Sequence, residues 1–296
     1  TTASSVTFTT TSNIAPVVTD IPDSTIVEGG SFATISLDDY VSDAGTEDAL
    51  MSWVATGQSN LTVSISSNRV ATITASTNWN GSEVVTFTAT DNDGINPMTG
   101  SDVATFTATP VNDAPVFTST ATTSATEDVL YSHTTTASDV DGDALTFSAT
   151  MMPTWLTGVD NGDGSASGSG TPLNEHVGSN SVVLTVSDGT VTVEQSFTIT
   201  VENVNDLPVF SSTAIMAATE GLLYSYIVTA SDDDGNALTF AATTLPTWLS
   251  FNVSTQVLSG TPGNGDVGDH PVVLTVNDSF GTVNQSFTIT VANTND

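Results

Sequence analysis

Long stretches of this chain alternate between polar and apolar residues. Ser196-Phe197-Thr198-Ile199-Thr200-Val201 is one, Ser286-Phe287-Thr288-Ile289-Thr290-Val291 repeats it, and Ala104-Thr105-Phe106-Thr107-Ala108 is an earlier version. A period of two buries one face of a strand and wets the other. Val182–Val186 and Val272–Val276 are more continuously apolar, which suggests central strands. β-Branched Thr and Val suit a pleated sheet. No segment carries three turns of helical periodicity. The pattern predicts an all-β fold: tandem antiparallel two-sheet β-sandwiches with Greek-key connections.

The alternating segments fall into repeats. Val111-Asn112-Asp113-Ala114-Pro115-Val116-Phe117 recurs as Val204-Asn205-Asp206-Leu207-Pro208-Val209-Phe210. A weaker form, Asn13-Ile14-Ala15-Pro16-Val17, opens the series, and Asn295-Asp296 closes it. Asn112 and Asn205 lie 93 positions apart, and Asn205 and Asn295 lie 90 apart. A period of that size is a whole domain. The expected boundaries are 13–111, 112–204 and 205–296. Residues 1–12 resemble the closing strand of a domain that is not there. That segment is either the remnant of a preceding repeat or a strand that docks on another molecule by β-augmentation.

Composition changes the picture in one direction. The 296 residues include 33 Asp and Glu but a single basic residue, Arg69, for a formal net charge of −32. No basic face can form, which excludes nucleic acid as a partner. Anionic membrane surfaces are disfavoured for the same reason. No apolar run is long enough for membrane insertion. With 11% charged and 38% hydrophobic residues, the chain is ordered rather than disordered. Its acidic groups need cations. Cysteine is absent, so neither disulfides nor thiolate metal sites are available. The expected form is a mature secreted chain or a fragment.

Two further motif sets align the second and third domains. Ala137-Ser138-Asp139-Val140-Asp141-Gly142-Asp143 matches Ala230-Ser231-Asp232-Asp233-Asp234-Gly235-Asn236. Pro153-Thr154-Trp155-Leu156 with Ser169-Gly170-Thr171-Pro172 matches Pro246-Thr247-Trp248-Leu249 with Ser259-Gly260-Thr261-Pro262. These domains resemble the dystroglycan-type cadherin-like (Ig-like) repeats of large bacterial surface proteins. The first domain, with Asn78-Trp79-Asn80-Gly81-Ser82-Glu83, is similar to bacterial cadherin-like tandem repeats. The resemblance covers almost the whole chain. It implies an extracellular, cell-surface location and two or three calcium ions at each junction.

On a seven-strand sandwich, a Glu of one domain, the linker Asn-Asp and an Asp cluster of the next domain converge. Calcium takes six to eight oxygens from carboxylates, amides and carbonyls, and the composition offers no soft alternative. One site is expected from Glu28, Asn112, Asp113, Asp139, Asp141 and Asp188, with Asp143 beside it. The second is expected from Glu127, Asn205, Asp206, Asp232, Asp234 and Asp278. Asn13 with Asp91 or Asp93 forms a lesser site at the front, and Glu220 with Asp296 half of another. A bare D-x-D-G-D is also a common tight turn; the recurring linker and separate Glu favour calcium. The loop lacks the Gly and closing Glu of an EF-hand.

Other chemistry finds less support. Trp155 and Trp248 are expected in the core rather than as sugar platforms. His133, His176 and His270 show no metal-ligand spacing, and no nucleophile elbow occurs. Carboxylate pairs such as Asp39 and Asp43 arise by chance in so acidic a chain. The expected function is a non-catalytic, calcium-rigidified extender of a bacterial cell-surface adhesin. Its partners would be neighbouring repeats or copies of itself, with a glycan or surface ligand possible. The alternatives are a subunit of a self-assembling extracellular filament or surface layer, and a carbohydrate-binding accessory region of a secreted enzyme.

Overall fold

A computed structural model describes residues 12–92, 94 and 96–294 of the chain. The proposed orphan strand up to Thr11, Asp93, Asn295 and Asp296 lie outside the described residues. The fold is all-β, as the alternation predicts. Helical structure among the described residues is confined to short 3-10 turns such as Leu37–Tyr40 and Asn174–His176. None is long and apolar enough to cross a membrane. The chain forms two compact units. One ends at Ala114 and takes in Asp139–Asp143; the other comprises Pro115–Ser138 and continues from Ala144.

The first unit contains one sandwich. Ser24–Val27, Thr99–Thr109, Gly81–Thr90 and Ser52–Thr56 form one sheet in that order. Ile35–Ser36, Val70–Ala75 and Leu61–Ile65 form the other. Phe87, Phe106, Leu37 and Ile73 are sealed between them. The alternation read in Ala104–Ala108 is visible directly: Ala104, Phe106 and Ala108 face inward.

The second unit repeats this plan twice. Ser124–Thr126, Thr192–Glu202, Gly178–Ser187 and Thr146–Met151 form one sheet of the second module. Val116–Phe117, Tyr131–Ser138, Ser165–Gly170 and Thr157–Asp160 form its partner. In the third module, Ala217–Thr219, Thr282–Ala292, Gly268–Asn277 and Thr239–Thr244 face Tyr224–Ile227, Val257–Gly260 and Leu249–Asn252. The Val-rich strands expected to be central are central. Even a register shift recurs, at Ala149/Met151 and at Ala242/Thr244.

Among the described residues, pairing departs from a purely antiparallel sandwich at one place in each module. Ser24–Val27, Ser124–Thr126 and Ala217–Thr219 each run parallel to the last strand of their module. Alternation sets which face is buried but carries no information on strand direction.

The Pro-x-Trp-Leu and Ser-Gly-Thr-Pro motifs form one packing unit. A Cβ on Gly170 would meet the carbonyl oxygen of Trp155 at 1.9 Å, and one on Gly260 that of Trp248 at 2.0 Å. The glycine lets two backbones touch. Trp155 is buried edge-on to Tyr131 and donates from Nε1 to Asn180 Oδ1 at 3.1 Å. Trp248 stands edge-on to Tyr224 in the same way. The tryptophans therefore belong to the cores.

Glu83 closes the first module's turn at 59–61. Its Oε1 accepts from Ser59 Oγ at 2.7 Å and from the Asn60 backbone at 2.8 Å. Its Oε2 accepts from the Ser59 backbone at 3.0 Å. Desolvation pushes the pKa of Glu83 up, but the Ser59 and Asn60 donors outweigh it and bring the value down to about 2.

Two predictions follow from these contacts. Gly170→Ala forces a backbone clash and lowers the melting temperature of the second module far more than Gly168→Ala, whose new Cβ has room, its nearest neighbour lying at 3.9 Å. Equal losses in calorimetry would contradict the packing account. A carboxylate whose folded pKa is depressed adds stability above its unfolded value and loses it as pH falls through the folded one. Glu83→Gln thus lowers the melting temperature at neutral pH, and the gap to the parent closes in acid below about pH 4. A gap unchanged down to about pH 2 would argue against the clamp.

Candidate metal centre

The parallel edge strand positions the first carboxylate. Because it runs beside the last strand, it ends where the chain leaves the module. The backbone N–H of Glu28 donates to Thr109, that of Glu127 to Glu202 and that of Glu220 to Ala292, at 2.9–3.0 Å. Each side chain then reaches the segment that follows. Glu28 Oε2 accepts from the Val111 N–H at 3.2 Å, Glu127 Oε2 from Val204 at 3.0 Å and Glu220 Oε2 from Thr294 at 3.3 Å. The other oxygens of Glu28 and Glu127 are buried and have no partner.

The D-x-D loop supplies the next carboxylates. Asp139 Oδ1 accepts from the Asp141 N–H at 2.9 Å, and Asp232 Oδ1 from the Asn236 N–H at 3.0 Å. The first bond makes an Asx turn, and the second ties Asp232 to the backbone four residues on. They leave Asp139 Oδ2 and Asp232 Oδ2 buried and unpartnered. The middle aspartate takes the linker: Asp141 Oδ2 accepts from the Asp113 N–H and Asp234 Oδ2 from the Asp206 N–H, both at 2.7 Å. Asp234 Oδ1 is again buried without a partner.

The structure brings the expected residues together to different degrees. Carboxylate oxygens of Glu28, Asp113 and Asp141 lie within 4.8 Å of one another, as do those of Asp139, Asp141 and Asp143. Around Asp206, no such group of three occurs among the described residues, although Glu127 and Asp206 line one cleft with Asp128 and Asp233. Desolvation, followed by repulsion from Asp141, Glu28 and Asp139, raises the pKa of Asp113. Desolvation, followed by repulsion from Asp234, Asp128, Asp233 and Asp232, does the same to Asp206.

The hairpin aspartates do different work. Asp278, 1% exposed, accepts from Asn205 Nδ2 at 3.0 Å through Oδ2, and from the Phe280 and Gly281 N–H groups through Oδ1. The Asn205 bond, followed by that of Gly281, pulls its pKa down. Asp91 repeats the pattern, taking Asn13 Nδ2 at 2.8 Å and the Met98 N–H at 3.0 Å. Asp188 accepts from the Thr190 and Val191 N–H groups, each at 2.6 Å. The linker asparagines act as staples as well: Nδ2 of Asn112 and of Asn205 each donates to the carbonyl of the following aspartate at 2.9 Å.

Three participants escape the sequence reading. Asp43 occupies the register position of Asp139 and Asp232, one residue past a Ser paired with Val17, Val116 or Val209. Its Oδ1 accepts from the Gly45 and Thr46 N–H groups, while its Oδ2 is buried without a partner. The shared Ser-Asp after a strand was the available signal; a longer connection in the first domain hid it. Asn236 replaces the third aspartate and donates to Asn205 Oδ1 at 3.2 Å. Asp128, next to Glu127, adds to the charge felt by Asp206.

Hard oxygen donors, partly orphaned in burial and crowded with like charge, fit a calcium ion. Protein cations to balance them are absent from both sets, since the single Arg69 is bound to Asp38 at 2.7 Å.

Comparison with known sequences fixes the relationship. Residues 114–202 and 207–292 each match the family described as Putative Ig domain. The chain belongs to this Ig-like family. Its first module, residues 13–109, matches the Bacterial Ig domain family. No curated protein matches the chain. Among solved structures, it is similar to an endo-fucoidan hydrolase of glycoside hydrolase family 107, at 23% identity and a TM-score of 0.34 over 96% of this chain. The chain spans only 45% of that enzyme's length. Human protocadherin-24 EC1-2 matches at 20% identity and a TM-score of 0.38, over 63% of this chain and all of that one. Drosophila N-cadherin EC1-4 matches at 12% identity and 0.35, over 93% and 74%.

A raised aspartate pKa means that the folded state binds its proton more tightly than the unfolded one. Stability from such a group is present in acid and is lost as pH rises through the folded value. In chelator, Asp206→Asn is therefore expected to raise the melting temperature at neutral pH and to flatten its decline from about pH 4 upward. A lowered melting temperature in chelator would show that Asp206 is not under electrostatic strain.

Proposed function

We propose that this Ig-like chain is a non-catalytic extender at a bacterial cell surface, stiffened by calcium held at its linkers. The observation that carries the reading is the set of buried, unpartnered carboxylate oxygens on Glu28, Asp139, Glu127, Asp232 and Asp234, gathered by repeated bonds to the linker backbone. Glu28, Asp113, Asp139, Asp141 and Asp143 would hold the ion at one linker. Glu127, Asp206, Asp232 and Asp234 would do so at the other, with Asp128 and Asp233 adding charge.

The chain's own residues explain the stiffening. Without a counterion, the crowded carboxylates repel and strain the hydrogen bonds they make to Val111, Asp113, Val204 and Asp206. Bound calcium supplies the compensating positive charge. The linker N–H bonds then persist, and each linker is held from both sides by carboxylates of successive modules. Binding that is confined to the folded state adds to stability.

Melting of the whole chain with calcium and with chelator tests the reading, combined with titration calorimetry and small-angle scattering. At a hundredfold excess over Kd, each site adds about 2.7 kcal/mol, a rise on the order of 10 °C for modules of this size. Asp139→Asn and Asp232→Asn each remove one class of sites from the calorimetric stoichiometry. The maximum dimension in scattering is expected to shorten in chelator. Unchanged melting and an unchanged scattering profile would sink the proposal.

A further inference from the structure

The sheets of the second module flank a partly open cavity of about 210 Å³. Its rim lies on the edge strands Thr146–Met151 and Thr157–Asp160, where Ala149, Gly158 and Val159 are exposed. Its wall is apolar: Phe147, Met152, Leu156, Val182, Leu184 and Phe197.

The third module shows what is missing. In the second module His133 pairs with Gly168, and Gly158 pairs with Gly168 from the other side. In the third, Tyr226 pairs with Leu258, and Phe251 pairs with Leu258. Three core positions thus read His, Gly and Gly in one module and Tyr, Phe and Leu in the next. Leu258 is fully buried, Tyr226 nearly so, and Phe251 packs on their core. The cavity occupies the volume those side chains fill.

Backbone geometry does not demand the two glycines. A Cβ on Gly158 would meet Met152 Sδ at 3.7 Å, and one on Gly168 would meet nothing nearer than 3.9 Å. Both are ordinary van der Waals contacts, and neither residue has the left-handed φ that requires glycine. Gly170, two residues on, is obligatory by contrast. An unfilled space of this size forfeits dispersion contacts and is costly in a packed core.

The polar atoms describe the occupant further. In the third module the Tyr226 hydroxyl lies 2.7 Å from Ser212 Oγ and donates to Gln285 Oε1 at 2.9 Å. Gln195 is the counterpart of Gln285, paired with Leu184 as Gln285 is with Leu274. Gln195 Oε1 is buried without a partner behind the cavity lining, and so is Nε2 of His133, which does line it. An imidazole is shorter than a phenol, so the hydroxyl present in one module has no equivalent in the other. His133 Nδ1 is 3.1 Å from Thr122 Oγ1, and burial lowers the ring's pKa. Asp160, at the rim, spends Oδ2 on the Phe147 N–H and Oδ1 on the Gly162 N–H. No unsatisfied charge lines the space.

We propose that the second module's cavity binds a small neutral molecule made of one apolar ring and one hydroxyl group, of which phenol is the simplest. The ring takes the volume of Phe251 and Leu258, and the hydroxyl turns toward His133, which lines the cavity. A dry apolar cavity of about 150 Å³ holds benzene, so this one accommodates a substituted ring.

The test is a titration of the full chain in calcium with phenol, and separately with toluene, followed by amide NMR. Saturable shifts are expected at Gly158 and Gly168 but not at Phe251 and Leu258, with phenol binding at least several-fold more tightly than toluene. Gly158→Phe combined with Gly168→Leu, which copies the third module, abolishes the shifts. His133→Tyr, a milder change that refills one side only, weakens phenol binding and raises the melting temperature. No shifts at Gly158 and Gly168, or equal shifts in both modules, would overturn the site. Equal affinity for phenol and toluene would overturn the hydroxyl assignment.

Discussion

Crowding of negative charge around a backbone that must stay put is the constraint on which this chain turns. At each of the two internal linkers, carboxylates are anchored by main-chain N–H groups at 2.7–3.2 Å. Those bonds fix one oxygen of each carboxylate and leave others buried without a donor. With one basic residue in 296, the protein cannot neutralise the cluster from its own side chains. The raised pKa values of Asp113 and Asp206 record the same tension. In the proposed function a hard cation from solution completes the arrangement, the kind of partner that oxygen donors of this sort select.

Much of the fold was legible because alternation and turn chemistry are local. Phe106, Ile199 and Ile289 face inward where a period of two places them. Repeated Asn-Asp-x-Pro segments marked the linkers. Strand direction was not legible, and it matters: the parallel edge strand brings Glu28 and Glu127 to the linkers. Of the carboxylate inventory, the structure groups Glu28 with Asp113 and Asp141, and Asp139 with Asp141 and Asp143. The inventory's division of labour was not readable, because Asp278 and Asp139 look alike in sequence. One is saturated by Asn205, Phe280 and Gly281; the other keeps an oxygen in reserve. Asp43 was passed over as a chance acid because its place is set by pairing with a strand rather than by spacing from Asn13.

The second and third modules share register, motifs and linker geometry, yet diverge inside. Selection on a fold acts through packing, and the third module packs Tyr226, Phe251 and Leu258 where the second has His133, Gly158 and Gly168. Motif resemblance is blind to this, since none of the three positions belongs to a motif. Near-identical scaffolds can therefore carry different interiors.

The parallel edge strand has a mechanical meaning. Chain enters the second module through Val116–Phe117 and soon reaches Ser124–Thr126, and it leaves through Thr192–Glu202, which lies alongside in the same direction. Pulling the two ends apart slides these strands past each other. Their hydrogen bonds are loaded together in shear, rather than one at a time as in peeling. The same arrangement at Ser24–Val27 and Ala217–Thr219 gives every module a lengthwise lock against tension.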